Sequence, residues 1–163
     1  FLDKNIPNLW VYYCCVQSRT VPNRFYALPS FRNRIMGVLI YLYRIKGFLH
    51  WGFNFYNSQY STRAINPYVE TDCGKAFPSG DPYLVYPGPD ATPLSSIRAE
   101  VQDDMFLDLR ALQELESRIG RDEVEKIIYE GCDIVPFTFE NYPRCPEYLE
   151  ALRRKVVLIL MGI

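Results

Sequence analysis

The chain has 163 residues, of which 48% are hydrophobic and 23% charged; this is the make-up of one globular domain and excludes a disordered or low-complexity segment. Its 18 basic and 19 acidic side chains give a formal net charge of -1 with no Lys/Arg block, so no nucleic-acid partner is expected. The longest apolar run, 156–163, is far too short to cross a bilayer, and no membrane partner is expected either.

The chain opens on Phe1 with no charged, apolar and small-residue leader after it. The expectation is a chain that starts inside a longer protein. Asn8 to Val16, NLWVYYCCV, is a continuous β-branched, aromatic and apolar run, which predicts a strand buried on both faces, as in a parallel sheet. A polar, proline-bearing loop follows. Its Arg19 and Arg24 are read as solvated charges, with contact to a sulfate, a carboxylate or a second sugar as the alternative. Ser30 is read as the cap of a helix over FRNRIMGVLIYLYRIKG, where Ile35, Val38, Leu39, Leu42 and Ile45 fall at helical spacing and Gly47 is the stop.

GFLHWGFNF, from Gly47, reads as a second strand. The segment 57–82 is rich in Gly, Pro, Asn and Ser; irregular loops of that length are functional or disordered. Tyr83 to Tyr86 is a short third strand, and Pro87 to Asp90 a turn. Pro93 to Ile119 is a long helix with the apolar stripe Ile97, Val101, Leu109, Leu112 and Leu115, ended by Gly120. Ser95 and Ser96 are its capping residues, and Arg98 is expected to pair with a carboxylate. The acidic run from Glu100 to Asp108 reads as a solvated face rather than a metal cluster. Two more helices, Asp122 to Tyr129 and Pro146 to Leu160, complete the chain.

Five cysteines, Cys14, Cys15, Cys73, Cys132 and Cys145, form no C-x-x-C, and a single His50 offers no zinc pattern. Cys14 and Cys15, adjacent on the first strand, point to opposite faces and do not bridge. The odd count reads as buried thiols, which favours a reducing, cytoplasmic compartment.

The order β-α-β-β-α predicts an α/β fold. Three parallel strands leave open edges, and a complete (β/α)8 barrel takes about 250 residues. The expectation is therefore the C-terminal portion of such a barrel, with about three parallel strands and closing helices. Residues 1–119 would be the last βα units and 120–163 a helical extension.

Aromatic residues are abundant at 15%, led by Tyr (13) and Phe (10). On the residues alone, Trp51 is more readily a core side chain than a ligand platform. Asn54 is an amide on an apolar strand, where it must find a partner; a sugar hydroxyl and the following loop serve equally. His50 alternates with Trp51, so it is expected to face the other way and to make a structural hydrogen bond behind the sheet. Tyr86 ends a strand and can offer its hydroxyl to a ligand. Asp90 lies in the next turn.

Three stretches in order, GFLHWGFNFYN (47–57), YLVYPGPD (83–90) and PLSSIR (93–98) followed by Asp108-Leu-Arg-Ala-Leu112, resemble the C-terminal signature of the glycoside hydrolase family 123 catalytic domain, a domain carried by many bacterial proteins. The resemblance covers about Leu9 to Leu115 and includes the helix RNRIMGVLIYLYRIKG. It implies a (β/α)8 barrel acting on glycosides of N-acetylgalactosamine, with no cofactor. An adjacent Asp-Glu pair would work with the substrate's own acetamido group as nucleophile, the substrate-assisted exception to the two-carboxylate scheme.

The pair belongs to an earlier strand end, and Asp122-Glu123 sits instead at a helix start. The resemblance therefore implies no catalytic residue in this chain. It implies a sugar-binding wall from Trp51, Asn54, Tyr86, Asp90 and Arg19. The family usually carries an Arg and a Gly where Asp103 and Met105 stand, which bears on how closely the long helix packs. The implied partners are a glycan and either the rest of the barrel or a second copy of the chain; this chain alone would be inactive. The alternative is a non-catalytic carbohydrate-binding or structural module, or a pseudo-enzyme.

Overall fold

Alternation along the first strand decides what its two faces meet. In the computed structural model, which describes residue 4 and residues 6–163, β1 (Trp10–Tyr13) runs parallel to β2 (Gly47–His50). Phe1, on which the expectation of an internal start rests, lies outside the described residues. The register pairs Trp10 with Gly47, Val11 with Phe48, Tyr12 with Leu49 and Tyr13 with His50. Val11, Tyr13 and Phe48 share the face that packs on the helices. Trp10, Tyr12 and Leu49 share the other, where they are 62%, 50% and 46% exposed. Gly47 does not stop a helix; it lies under the Trp10 ring, where a Cβ would come within 2.1 Å of the indole.

The connection between the strands is two short helices, α1 (Phe31–Arg34) and α2 (Met36–Leu42), rather than one long helix. Ser30 has helical backbone angles and makes no side-chain cap. The expected apolar stripe is real: Ile35, Val38 and Leu39 are fully buried, and Ile45 nearly so.

The third predicted strand takes another direction. β3 (Val85–Pro87) pairs antiparallel with β4 (Pro93–Ser95), Tyr86 facing Leu94. The few residues of the Pro-Gly-Pro turn suffice for a hairpin, whereas a parallel partner needs a crossover of about a dozen. Upstream, residues 53–55 also meet 82–85 antiparallel, through Leu84 N–H to Phe53 O at 2.7 Å and an Asn54–Tyr83 bridge. The described residues thus hold one β-α-β unit and a hairpin, a mixed α/β fold with two parallel strands instead of three.

Because Pro93–Ser95 is a strand, the long helix starts later, as α3 (Ile97–Ile119), with the Ser96 hydroxyl accepting from Ala99 N–H at 3.3 Å. Ile97 leaves the apolar stripe and is 73% exposed. α4 (Arg121–Tyr129) carries Asp122 and Glu123 in its first turn, where the helix dipole favours acids, and α5 (Pro146–Met161) closes the chain. One core joins Tyr13, α1 to α3, Val124 and Ile128 of α4, and Leu149, Leu152 and Val156 of α5.

A close helix approach lies at Gly37 of α2, where a Cβ would stand 2.3 Å from the Met105 carbonyl oxygen of α3. Met105 is fully buried, so the room at this crossing comes from Gly37 on the opposite helix. Gly37→Val is expected to cost about 3 kcal/mol, the upper end of overpacking penalties, because backbone rather than a flexible side chain must move. Urea unfolding checks this; an unchanged midpoint would refute the close crossing.

Residues 57–82 are held by local structure. Ile65, Cys73 and Tyr83 form a small second core packed by Phe55, Tyr56, Phe77 and Tyr86. The Tyr83 hydroxyl donates to Pro67 O at 3.0 Å. All five cysteines are free; Cys73 is buried, but Cys145 is exposed, against the expectation of buried thiols. β1 ends at Tyr13, so Cys14 and Cys15 lie past the strand, where the opposite-face argument does not apply. Among the described residues, no helix is long and apolar enough to cross a membrane.

Candidate functional site

A carboxylate hidden in the long loop organises the C-terminal end of the parallel pair. Asp81 is fully buried. Its Oδ2 accepts a hydrogen bond from Trp51 Nε1 at 2.7 Å, and its Oδ1 lies 3.1 Å from His50 Nε2. That second contact is close but poorly aligned, so neither atom has a well-directed partner. Gly52 permits the approach, since a Cβ there would lie 2.5 Å from the Asp81 carbonyl oxygen. Trp51 and His50 therefore converge on one carboxylate rather than facing opposite ways. The strand ends at His50, and the bend at Trp51 breaks the alternation.

The His50 tautomer follows from its donors. Nδ1 receives Arg24 Nη2 at 2.8 Å and the Gly52 N–H at 3.2 Å. A nitrogen that accepts two hydrogen bonds carries no proton, so the ring proton sits on Nε2, facing Asp81. Burial pushes the His50 pKa down and Arg24 adds to this, while the neighbouring Asp81 carboxylate opposes it. Arg24, read in the sequence as a solvated charge, is instead buried at 5% exposure. It donates to the Asp81 carbonyl at 3.1 Å. Burial lowers its pKa to about 9, with Arg98 acting the same way and Asp81 against, so it remains a cation at neutral pH.

A pH dependence follows. Below the unfolded-state value of about 6.5, the unfolded chain binds a proton that the folded imidazole refuses. This contribution to stability is complete above about 6.5 and is lost as the pH falls toward the depressed folded value. The slope reaches about 1.4 kcal/mol per pH unit. His50 is the single histidine, so urea midpoints at pH of about 7.5 and about 5.5 test it directly. The wild-type midpoint should drop and the His50→Asn midpoint should hold; equal wild-type midpoints would count against a buried neutral ring.

Beside this charged knot stands an aromatic group. Trp51, half-buried, packs against Phe77 at 4.7 Å and Phe55 at 5.2 Å between ring centres. Tyr86 meets Tyr68 at 5.1 Å and Tyr83 at 5.4 Å. The hydroxyls of Tyr26 and Tyr86 hydrogen-bond each other. Burial first, then that bond, raises the Tyr26 pKa, so this phenol keeps its proton. Arg98 places its guanidinium 4.6 Å from the centre of the Tyr26 ring and donates through Nη1 to the carbonyls of Gly80 and Tyr83. The expected carboxylate partner of Arg98 is replaced by two carbonyls and a ring.

Of the residues singled out in the sequence, Trp51 and Tyr86 lie in this group. Asn54 is exposed and bridges to Tyr83 through its backbone. Asp90 is exposed in the hairpin turn with a positive φ of 56°. Arg19 is exposed after β1, its carbonyl accepting from Arg32. Asp81, Tyr26, Tyr68 and Tyr83 were not anticipated. Asp81 had one visible signal, an acid between Gly80 and Pro82 in a segment otherwise rich in aromatic and small residues.

These features define an α/β domain with an aromatic, hydroxyl-bearing surface at the C-terminal end of its parallel strands, the end at which such sheets bind ligands. A profile of the glycoside hydrolase 123 catalytic domain matches residues 1–115, and the chain belongs to that family. A glycoside hydrolase domain implies a glycan as substrate. No curated protein matches the chain.

Proposed function

We propose that the chain supplies one wall of the sugar site of a retaining, substrate-assisted N-acetylhexosaminidase of the β-N-acetylgalactosaminidase type. The observation that carries this is Trp51, anchored edge-on by Asp81 at 2.7 Å. An indole locked by a buried carboxylate is preorganised to receive the C–H face of a sugar. Tyr26 and Tyr86 have two hydroxyl protons and use one between them; the other is free to donate to an acetamido or hydroxyl oxygen. In this chemistry the acetamido oxygen attacks the anomeric carbon while an acid protonates the leaving oxygen.

The acid and its neighbour are proposed to lie outside this chain. Asp122-Glu123, its single adjacent Asp-Glu pair, opens α4, where Glu123 holds Lys126 at 2.6 Å. The apolar face of Trp10, Tyr12 and Leu49 suits the interior of a larger barrel completed by the rest of the protein or by a second copy. On this reading 1–119 are barrel units and 120–163 a helical extension; the family match, which ends at 115, supports the division.

Isothermal titration with N-acetylgalactosamine tests the wall: Trp51→Ala should weaken binding at least about tenfold, the loss expected for about 1.4 kcal/mol, while Trp51→Phe retains most of it. Equal affinity in Trp51→Ala would remove Trp51 from the site. The chain alone should not hydrolyse a chromogenic N-acetyl-β-galactosaminide, and turnover by it would refute the division of labour.

A further inference from the structure

Two buried guanidiniums in this region are out of balance with the carboxylates around them. Arg24 and Arg98 are 5% and 8% exposed. Among the described residues neither forms an ion pair with a carboxylate, and Asp81 is the carboxylate that acts electrostatically on Arg24. Two cations thus face one anion. Each guanidinium also holds an N–H with no acceptor, Nε of Arg24 and Nη2 of Arg98. A buried donor left unmet is costly, and a charged one more so.

Both arginines line open space. Arg98 forms part of a cavity of about 480 Å³ whose other walls include Tyr26, Tyr86, Ser96 and Ile97. It also lines an inner lobe of about 20 Å³ together with Arg24 and Asn33, room for about one water. The two spaces share Phe25, Leu28, Ser30 and Arg98. The outer one is of the size that takes a sugar unit, and Tyr86 is one of its walls.

We infer that the cavity between Tyr26, Tyr86 and Arg98 is a subsite for an oxyanion carried on the sugar, a sulfate ester or a uronate carboxylate, attracted by the charge of Arg98, which lines the space and has no carboxylate of its own. This rests on the sugar-site reading above and narrows its substrate class to anionic glycans. A guanidinium suits such a group because it stays charged at any working pH and acts over a short distance in a poorly solvated place. The ring of Tyr26 over Arg98 holds the guanidinium in place. Ser30 and Ser96 line the same space.

Isothermal titration of the protein with N-acetylgalactosamine, N-acetylgalactosamine 6-sulfate, glucuronic acid and inorganic sulfate tests the inference. At least one of the two anionic sugars should bind about tenfold tighter than the neutral one. The sulfated sugar against the uronate then separates sulfate from carboxylate. Arg98→Gln should abolish the preference, but Arg98 also ties Gly80 and Tyr83 and the variant can fail to fold. Ile97→Glu avoids this: the residue is exposed at the cavity rim, and an acid in the first turn of α3 suits the helix. It should weaken the anionic sugar at least fivefold more than the neutral sugar. Equal affinity for neutral and anionic sugars overturns the subsite while leaving the sugar wall standing. A preference insensitive to Ile97→Glu overturns its location. Failure of every sugar to bind overturns both readings.

Discussion

Replacing Asp108 by alanine should lower the unfolding free energy by about 3–5 kcal/mol, because it leaves two guanidiniums without their shared carboxylate. Asp108 Oδ2 accepts from Arg34 Nε at 2.7 Å, and Oδ1 from Arg34 Nη2 at 3.3 Å and Arg153 Nε at 2.5 Å. Arg153 goes on to Asp104 at 2.6 Å, and Arg34 to Glu150. The network ties α1, α3 and α5 at a point where Arg34 is 8% exposed and Asp108 6%.

The magnitude follows from the asymmetry of buried charge. Removing the whole group for apolar residues of similar volume can be nearly neutral, but removing one partner strands the others in a poorly solvated place. Domains are stable by about 5–15 kcal/mol, so a loss of this size shifts the urea midpoint far down. Asp108→Asn keeps an acceptor oxygen and loses the charge, and should fall between. The double variant Asp108→Leu with Arg34→Met should recover most of the loss, since both buried charges go together. A loss below about 1 kcal/mol in Asp108→Ala, the range of an exposed pair, would mean that the network is held open by water.

Asp108 also marks how far the sequence could be read. Met105, Leu112 and Leu115 are buried at helical spacing, and Asp108 falls on the same stripe. Read as the end of an acidic run it looked solvated; read by its position on the helix it is a polar residue on the core face, and such a residue needs a cationic partner from another element. Helical periodicity located the buried face of α2 and, in α3, Leu112 and Leu115, because 3.6-residue spacing is a local property; at the start of α3 it missed, since Ile97 is exposed and Met105 buried. Pairing between distant segments is not local. The sequence of β3 says that it is a strand and is silent on which neighbour it takes, so its antiparallel direction came only with the fold.

The site divides in the same manner. Trp51 and Tyr86 were visible by residue type and by family resemblance. Asp81 and Arg24 were not, because a charge inside a loop looks solvated until the loop folds over it; Arg98 was read as one half of an ion pair, and its carbonyl and ring partners came only with the fold. Glycines misled in one direction only. Gly47 was read as backbone punctuation, yet its function is steric: it lies under Trp10 and leaves room for the ring. A strand-opening glycine opposite a large cross-strand ring is one signal by which this could be found.

Asp81→Asn should disturb the site more than any other single isosteric change in it. The wild-type carboxylate offers one oxygen to Trp51 and one to the proton-bearing nitrogen of His50, and its charge offsets Arg24. An asparagine has one acceptor and one donor end. If its oxygen serves Trp51, its amide N–H faces the His50 N–H, donor against donor; if it turns over, Trp51 loses its anchor. Either arrangement leaves Arg24 buried without an offsetting charge. The expected loss of stability is about 2–3 kcal/mol, the cost of a stranded hydrogen-bonding group next to a charge.

Binding should fall too, and by a separate route. With the indole released, ordering Trp51 against a sugar costs about 0.5–1.5 kcal/mol of side-chain freedom that the wild type has already lost on folding, or up to about tenfold in affinity for N-acetylgalactosamine. Trp51→Phe supplies the control, since its ring makes no hydrogen bond to Asp81. In a Trp51→Phe background, Asp81→Asn should still destabilise the protein but change sugar affinity little. If Asp81→Asn weakens binding equally in both backgrounds, the carboxylate acts on the sugar site by some path other than the indole. If it leaves stability untouched in the wild-type background, the charge knot of Arg24, His50 and Asp81 is not what holds the long loop over the end of the strands.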